Sequence, residues 1–576
     1  MKTLLKEFKN KFFKLFQLAK SFKSKIFYVV FLSLVLAVFE TIGISMFFPI
    51  IESLSSENDK VNSYLNEFLN INLTKKEIIL YSGIIFFIVF LSKIFVSLYY
   101  VVYLDRFINN IRNFWREKIF EKFLFENKKF AKKKIGEMID LTMYQTAGAS
   151  KLLKFLCIII SESIITLALF LLILYLSPKI TIVVTFILII LILPIQKIYK
   201  HFSVNLGRKI TKISQNQGEL FTNIFIGSRI IRIYDIQNLF IKKIKKINKY
   251  QVDTVVKNTF LINIPNQMIV FIFSVIILSF SLYVYYFLNI EKINWSEFIS
   301  KLVVFYYVFQ RLGGQFTKMS SAYIGFWNNV APLNLVLENI NENNLIKSNE
   351  KKKFSDIFND KSFKITFEDV FFKYDKKYVI KKLNFIINQG DYILIYGPSG
   401  VGKSTIVDIL VGLNKIEKGK FRVNQNDIDE KNIKHWRNHI SYLPQNPILF
   451  GKTIRENLNY AKHDFTHEEF LKASRLSGAL KMINKFSKNI DQEIGEFGSS
   501  LSGGQKQLLC LTQAIIRDPK VLILDEPTTS LDIESRKLFY KSLTKINKSG
   551  ITVILISHHK DEIVGYTKVI NLGKKI

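Results

Sequence analysis

Residues 397–405, GPSGVGKST, place three glycines, a lysine and three hydroxyls directly after the apolar run DYILIY. The spacing G-x-x-x-x-G-K-[ST] between a strand and a helix suits a nucleotide's phosphates. The loop Gly397, Pro398, Ser399, Gly400, Val401 and Gly402 lets backbone N–H groups surround phosphate oxygens, and the helix N-terminus favours their charge. Lys403 then reaches the β and γ phosphates, and the Ser404 hydroxyl, with Thr405 beside it, ligates magnesium. Farther along, VLILDEP ends an apolar strand in two acids. Asp525 would hold the Mg2+ through its water shell, while Glu526 would orient and deprotonate an attacking water. Two acids after a strand could also be a solvated helix cap; the phosphate loop in the same chain favours the catalytic reading. ATP and Mg2+ are therefore the expected cofactors.

Between these motifs lies LSGGQ, residues 501–505, and with it the chain resembles the ATP-binding-cassette family. The resemblance spans the whole chain, as in half-size exporters, and implies a homodimer in which the signature loop of one copy closes over nucleotide held by the other. Ser502, Gly503, Gly504 and Gln505 would then meet the γ-phosphate with a hydroxyl and backbone donors at a helix start, where a tight glycine turn is the bland alternative. Other positions follow from the resemblance. Tyr374 in VFFKYD is similar to the aromatic residue that stacks on adenine, with core packing after a strand as its bland alternative, and Gln445 in YLPQNP to the glutamine that senses magnesium and the membrane domain. Glu496 resembles the acid of a loop that touches neighbouring intracellular helices. Ser530, Leu531 and Asp532 match the dimer-contact loop, and His558 matches the switch histidine, with His559 beside it. Leu508 and Gln513 stand where the family usually has arginine, which implies altered packing or coupling and leaves the hydrolytic positions intact.

These residues need a scaffold. A chain of 576 residues with 49 % hydrophobic content and a formal charge of +34 is neither disordered nor an ordinary soluble enzyme. The charge is compatible with nucleic acid, but no nucleic-acid motif accompanies it, so no nucleic-acid partner is expected. Six apolar runs, near 26–51, 78–104, 153–177, 180–197, 258–289 and 296–320, mostly reach the roughly 20 residues that span a bilayer as helix. Ser177, Pro178 and Lys179 make the tight turn between the third and fourth. Residues 197–257 carry thirteen Lys/Arg against three Asp/Glu, and 52–76 carry three against four, which puts 197–257 and both termini on the cytoplasmic side. The first 25 residues alternate basic and apolar positions like an interfacial helix and lack the core of a signal peptide. Cys157 and Cys510 have no metal-ligand spacing around them and read as packed thiols. After residue 362, β-rich and helical runs alternate. The expected architecture is an all-α six-helix transmembrane domain of the exporter type over 1–337, a linker over 338–361, and an α/β P-loop nucleotide-binding domain over 362–576.

Three cations interrupt the apolar runs: Lys93 in the second, and Arg311 and Lys318 in the sixth. Seven residues apart, Arg311 and Lys318 share nearly one helical face. A charge facing hydrocarbon costs several kcal/mol, so such residues tend to face a cavity, where they would suit an anion. Pairing with Glu40 of the first run, or snorkelling to the interface, competes with that reading. ETIGISMFFPII and the following amphipathic VNSYLNEFLNIN are similar to the bacterial flippase of lipid-linked oligosaccharides used in protein glycosylation, in which an external helix engages the polyprenyl tail and cavity arginines engage pyrophosphate. Lys93, Arg311 and Lys318 fall near three of those cations, whereas Asn266 replaces a fourth. The resemblance implies ATP-driven flipping of a polyprenyl-pyrophosphate-linked saccharide across a bacterial inner membrane. Export of lipid A, a peptide or a drug is the alternative, and an ATP-gated channel or sensor a further one.

Overall fold

The computed structural model describes residues 22–46, 50, 74–125, 134–176, 178–287, 295–340, 362–374, 377–429, 432–528, 531–558, 563 and 565–572. The chain divides into two compact units, Met1–Ile346 and Lys347–Ile576. The expected interfacial helix before residue 22, the amphipathic run 61–72, Ser530 and His559 lie outside the described residues.

The first unit is helical. Its long helices are α1 (Lys23–Ser45), α2 (Lys75–Phe125), α4 (Thr146–Leu176), α5 (Pro178–Ile226), α7 (Gln237–Phe287) and α8 (Trp295–Asn328). Short α3 (Ile135–Asp140) and α6 (Ser228–Ile233) join them, and α9 (Val330–Ile340) follows. Each apolar run falls wholly or largely within one long helix. Among the described residues, Lys23–Ser45, Lys76–Phe125 and Ile135–Leu172 carry windows long and apolar enough to cross a membrane. Two boundaries differ from the sequence reading. Pro178 and Lys179 belong to the first turn of α5, because proline's fixed φ suits a helix start and its missing N–H has no intrahelical partner there anyway. Helix α9 runs to Ile340, into the stretch read as linker, because Val336 and Ile340 are buried against the bundle.

Ile111 and Trp115 of α2, Leu152 and Leu169 of α4 and Leu333 of α9 are fully buried and tie these helices into one core with α1. Close crossings need glycine: a Cβ at Gly207 of α5 would lie 2.2 Å from the backbone oxygen of Asn328 in α8. Helices α2, α5 and α7 contain 51, 49 and 51 residues. At 1.5 Å per residue each is about 75 Å long, more than twice the ~30 Å hydrocarbon layer, so the basic segments continue the membrane helices beyond it.

The second unit holds two sheets. Strands β1 (Lys364–Tyr374), β2 (Lys377–Asn388), β4 (Lys418–Val423) and β5 (Asn426–Asp427) form one in the order β2-β1-β4-β5, antiparallel throughout. Strands β3 (Tyr392–Tyr396), β6 (Ile440–Leu443), β7 (Val521–Asp525), β8 (Thr552–Ile556) and β9 (Lys568–Asn571) form the other, parallel in the order β6-β7-β8-β3-β9. Every residue of β7 and β8 is buried, as expected of parallel strands covered on both faces. The helices are α10 (Lys403–Leu410), α11 (Ile433–Asn438), α12 (Ile454–Ala461), α13 (His467–Ser477), α14 (Leu480–Ile483), α15 (Gly503–Ile516) and α16 (Ile533–Lys548). Buried Trp436 fastens α11 to the end of α10 by donating from Nε1 to the Leu410 carbonyl at 2.6 Å.

Candidate functional site

Strands β3, β6, β7 and β8 run parallel, so the segments after their C-terminal ends emerge on one side of the sheet, where α/β folds carry their ligands. The four segments contain Gly397–Gly402, Gln445, Glu526 and His558 respectively. Gly400 and Gly402 adopt φ of +79° and +105°, a left-handed backbone that glycine permits without a Cβ clash. That path turns the chain from β3 into α10, whose first residue is Lys403. Lys403 Nζ donates to the carbonyls of Gly397 at 2.9 Å and Pro398 at 3.0 Å, which holds the ammonium across the loop.

The two acids sit at the end of β7 in different surroundings. Asp525 is 9 % exposed; burial, then the neighbouring Glu526 charge, pushes its carboxyl above the usual range, while Lys403 and hydrogen bonds from Tyr442 and Ser404 oppose the shift. Burial likewise pulls the Lys403 ammonium down, against the pull of both acids. Glu526 has a φ of +44°, and its N–H donates to the Ile556 carbonyl of β8 at 3.0 Å. Its carboxylate accepts from Gln445 Nε2 at 2.9 Å and lies 2.5 Å from His558 Nε2. A buried carboxylate under a charge burden, bonded to the Ser404 hydroxyl, is the donor set a hard divalent cation takes. The residues therefore fit magnesium, held by Ser404 and Asp525 with Gln445 near Glu526. Magnesium held by these residues would neutralise charge on the β and γ phosphates.

Tyr374 is the last residue of β1. It is exposed, its ring meets Phe372 edge-on at 4.9 Å, and its hydroxyl accepts from Asn414 Nδ2 at 3.1 Å. Asn414 also donates to Asp408 of α10 at 3.2 Å, so one amide links the tyrosine to the phosphate-loop helix. Sequence reading passed over Asn414, as it did Tyr442, whose hydroxyl is pushed up by burial and by the Asp525 charge. An asparagine just past a helix and a tyrosine in an apolar strand carry no motif of their own.

The signature residues form a separate structure at the start of α15. Ser502 and Gln505 make a reciprocal cap: the Gln505 N–H donates to Ser502 Oγ at 3.3 Å, and the Ser502 N–H donates to Gln505 Oε1 at 2.9 Å. Gln505 thereby serves the helix, while Ser502 keeps its own O–H to donate. A Cβ at Gly504 would lie 3.0 Å from Leu531, so the signature turn packs directly on the expected dimer-contact loop. Leu508 packs against the apolar cluster of this unit. Glu496 is exposed, beside Phe497 at a φ of +51°. Cys510 is a buried thiol, pushed up to about 12 by that burial, and Cys157 is buried in the helical unit.

In the first unit the three cations do not stand alone. Glu40 of α1, whose side chain is 2 % exposed, is paired with both Lys93 of α2 and Arg311 of α8; Arg311 Nη2 reaches its second oxygen at 3.3 Å. Lys318 Nζ lies 3.5 Å from Glu162 Oε1 of α4. The pairing account weighed from sequence thus holds for Lys93 and Arg311, and Lys318 has an acid that sequence reading missed. The available signal was a lone acid inside an apolar window, whose burial calls for a cation.

Comparisons with known proteins agree with this geometry. Residues 26–312 match the family described as ABC transporter transmembrane region, and residues 380–529 match the family described as ABC transporter. The human protein ATP-binding cassette sub-family B member 5 is 37 % identical over 211 residues, 36 % of this chain and 17 % of that one. The ABC multidrug transporter mdr2 of Aspergillus fumigatus is 38 % identical over 212 residues, 36 % of this chain and 27 % of its own length. The matched stretch thus covers well under half the length of each curated relative. A solved structure of a bacterial Atm1-family ABC exporter with ATP bound superposes with a TM-score of 0.77 at 17 % identity, over 96 % of this chain and 94 % of that one, and shares its fold.

Proposed function

The chain belongs to the ABC transporters, in their exporter fold, and from that premise we propose that it couples ATP hydrolysis to transport and flips a polyprenyl-pyrophosphate-linked oligosaccharide across a bacterial inner membrane. In this reading two copies pair, with the nucleotide-binding units and both termini cytoplasmic. Glu526 takes a proton from the attacking water. Gln445 and His558 hold the Glu526 carboxylate in place, and Lys403 and Ser502 offer donors to the phosphates. Tyr374 stacks on the adenine.

The observation that carries the substrate class is the gathering of Lys93, Arg311 and Lys318 from two helices about two carboxylates among the described residues, Glu40 and Glu162. Three cations against two anions leave one net positive charge on that face, which favours an anionic headgroup. A second reading, export of a drug or other apolar cargo, is favoured by the same pairs, because each cation already has a carboxylate partner. The test is reconstitution in proteoliposomes with a fluorescent polyprenyl-pyrophosphate oligosaccharide, scoring ATP-dependent translocation beside a Glu526→Gln control. Translocation by the unmodified chain alone supports the flippase. Robust ATPase with no translocation would transfer the assignment to drug, lipid A or peptide export.

A further inference from the structure

The charged cluster between α1, α2, α4 and α8 is layered. Its acids lie deep, with Glu40 and Glu162 side chains 2 % and 12 % exposed, whereas the Arg311 and Lys318 side chains are 40 % and 60 % exposed. Arg311 and Lys318 therefore form a rim over a carboxylate floor, with Lys93, 14 % exposed, lying as deep as Glu162, and an approaching anion meets the rim first. Glu40 takes Nε and one Nη2 hydrogen of Arg311. Lys93 is held from two sides, by Glu40 and by the face of Phe90 at 4.8 Å. Glu162 is held more weakly: its Oε2 is buried and accepts no hydrogen bond among the described residues, and its pairing with Lys318 is long, at 3.5 Å.

Three cations with no acids beneath them would grip a phosphate-type anion tightly, and a transporter must also let go. We infer that Glu40 and Glu162 are built-in competitors of a phosphate-type anion at this rim: they neutralise the cations before it arrives and hold its affinity low enough for release. The inference rests on the anionic-substrate reading above. Its physical basis is the Coulomb term. A carboxylate about 7 Å from a bound anion repels it enough, at an effective dielectric near 20, to weaken binding by roughly tenfold or more. Losing the orientation of one arginine side chain is a smaller effect than that.

The test uses the full chain in phosphatidylcholine nanodiscs, with ATPase stimulation titrated by phosphatidic acid in one arm and by inorganic pyrophosphate in the other. The two arms separate a lipid headgroup from a free phosphate. Glu40→Gln is expected to lower the half-maximal concentration about tenfold while the maximal rate falls, as release becomes slow. Glu40→Asp is expected to behave like the unmodified chain, and Arg311→Gln to lose the response. Because Glu40→Gln leaves Lys93 and Arg311 short of a partner, Glu162→Gln is the second variant; acting through Lys318 alone, it is expected to move the half-point the same way by a smaller factor. An unchanged or raised half-point in both glutamine variants, with stimulation of the unmodified chain intact, overturns the competitor role and leaves the anionic substrate standing. No stimulation of the unmodified chain in either arm overturns the anionic substrate and this inference with it.

Discussion

Replacing Glu526 by glutamine isolates the proton-accepting role proposed for that carboxylate. The substitution keeps the side chain's shape, and the surroundings can satisfy an amide there: Gln445, now donating from 2.9 Å, can turn its own oxygen toward the new NH2, and His558 at 2.5 Å can present either a donor or an acceptor nitrogen. Glutamine also tolerates the +44° φ as glutamate does. The fold and the phosphate loop should therefore be undisturbed, and the loss confined to chemistry. A positioned general base is worth about 10²–10⁴ in rate, or roughly 2.7–5.5 kcal/mol of barrier. Steady-state phosphate release should fall by that factor, while the affinity for a fluorescent ATP analogue stays within about threefold. A loss of rate below about tenfold would mean another group takes the proton. A comparable loss of nucleotide affinity would mean that Glu526 acts in binding, and either result would refute the assignment.

The folded state holds the Asp525 carboxyl above its ordinary range, so its charged form is disfavoured there, and at neutral pH the nucleotide-free fold carries that burden. Asp525→Asn should accordingly raise the thermal midpoint of the nucleotide-free protein while abolishing Mg2+-dependent ATPase, measured by scanning fluorimetry and phosphate release. Asn414→Ala removes the amide between Tyr374 and Asp408 and should weaken ATP binding about two- to tenfold, the worth of one exposed hydrogen bond, with the rate at saturation retained; fluorescent-nucleotide titration reads it. Gly207→Ala puts a methyl 2.2 Å from the Asn328 carbonyl, forcing α5 and α8 apart at a cost of about 1–3 kcal/mol, which should appear as a lower thermal midpoint in detergent.

The nucleotide site was legible because its signals are local. A glycine loop between a strand and a helix, or two acids at a strand end, declares itself within ten residues, and the parallel sheet then brings these loops to one side. The long helices were legible for the same reason, since an apolar run needs no partner to be recognised. What sequence left open depends on contacts between distant positions. Arg311 lies 271 residues along the chain from Glu40, and only the packing of α1, α2 and α8 turns Glu40, Lys93 and Arg311 into one ionic group. Glu162 sits in ISESIITLALF with nothing beside it to name its cation. Asn414 likewise acquires meaning from the place of Tyr374 on another strand.

The lengths of α2 and α7 have a mechanical consequence. Each contains 51 residues, so after a hydrocarbon crossing of about 30 Å some 45 Å of stiff rod remains, and a 5° tilt in the bilayer swings its tip by about 4 Å. Helix α2 has no proline, whereas α7 contains Pro265 just past its midpoint, where the ring removes one N–H from the ladder and invites a bend. One rod is a lever that magnifies small rotations; the other is jointed and can absorb part of the same motion before it reaches the tip.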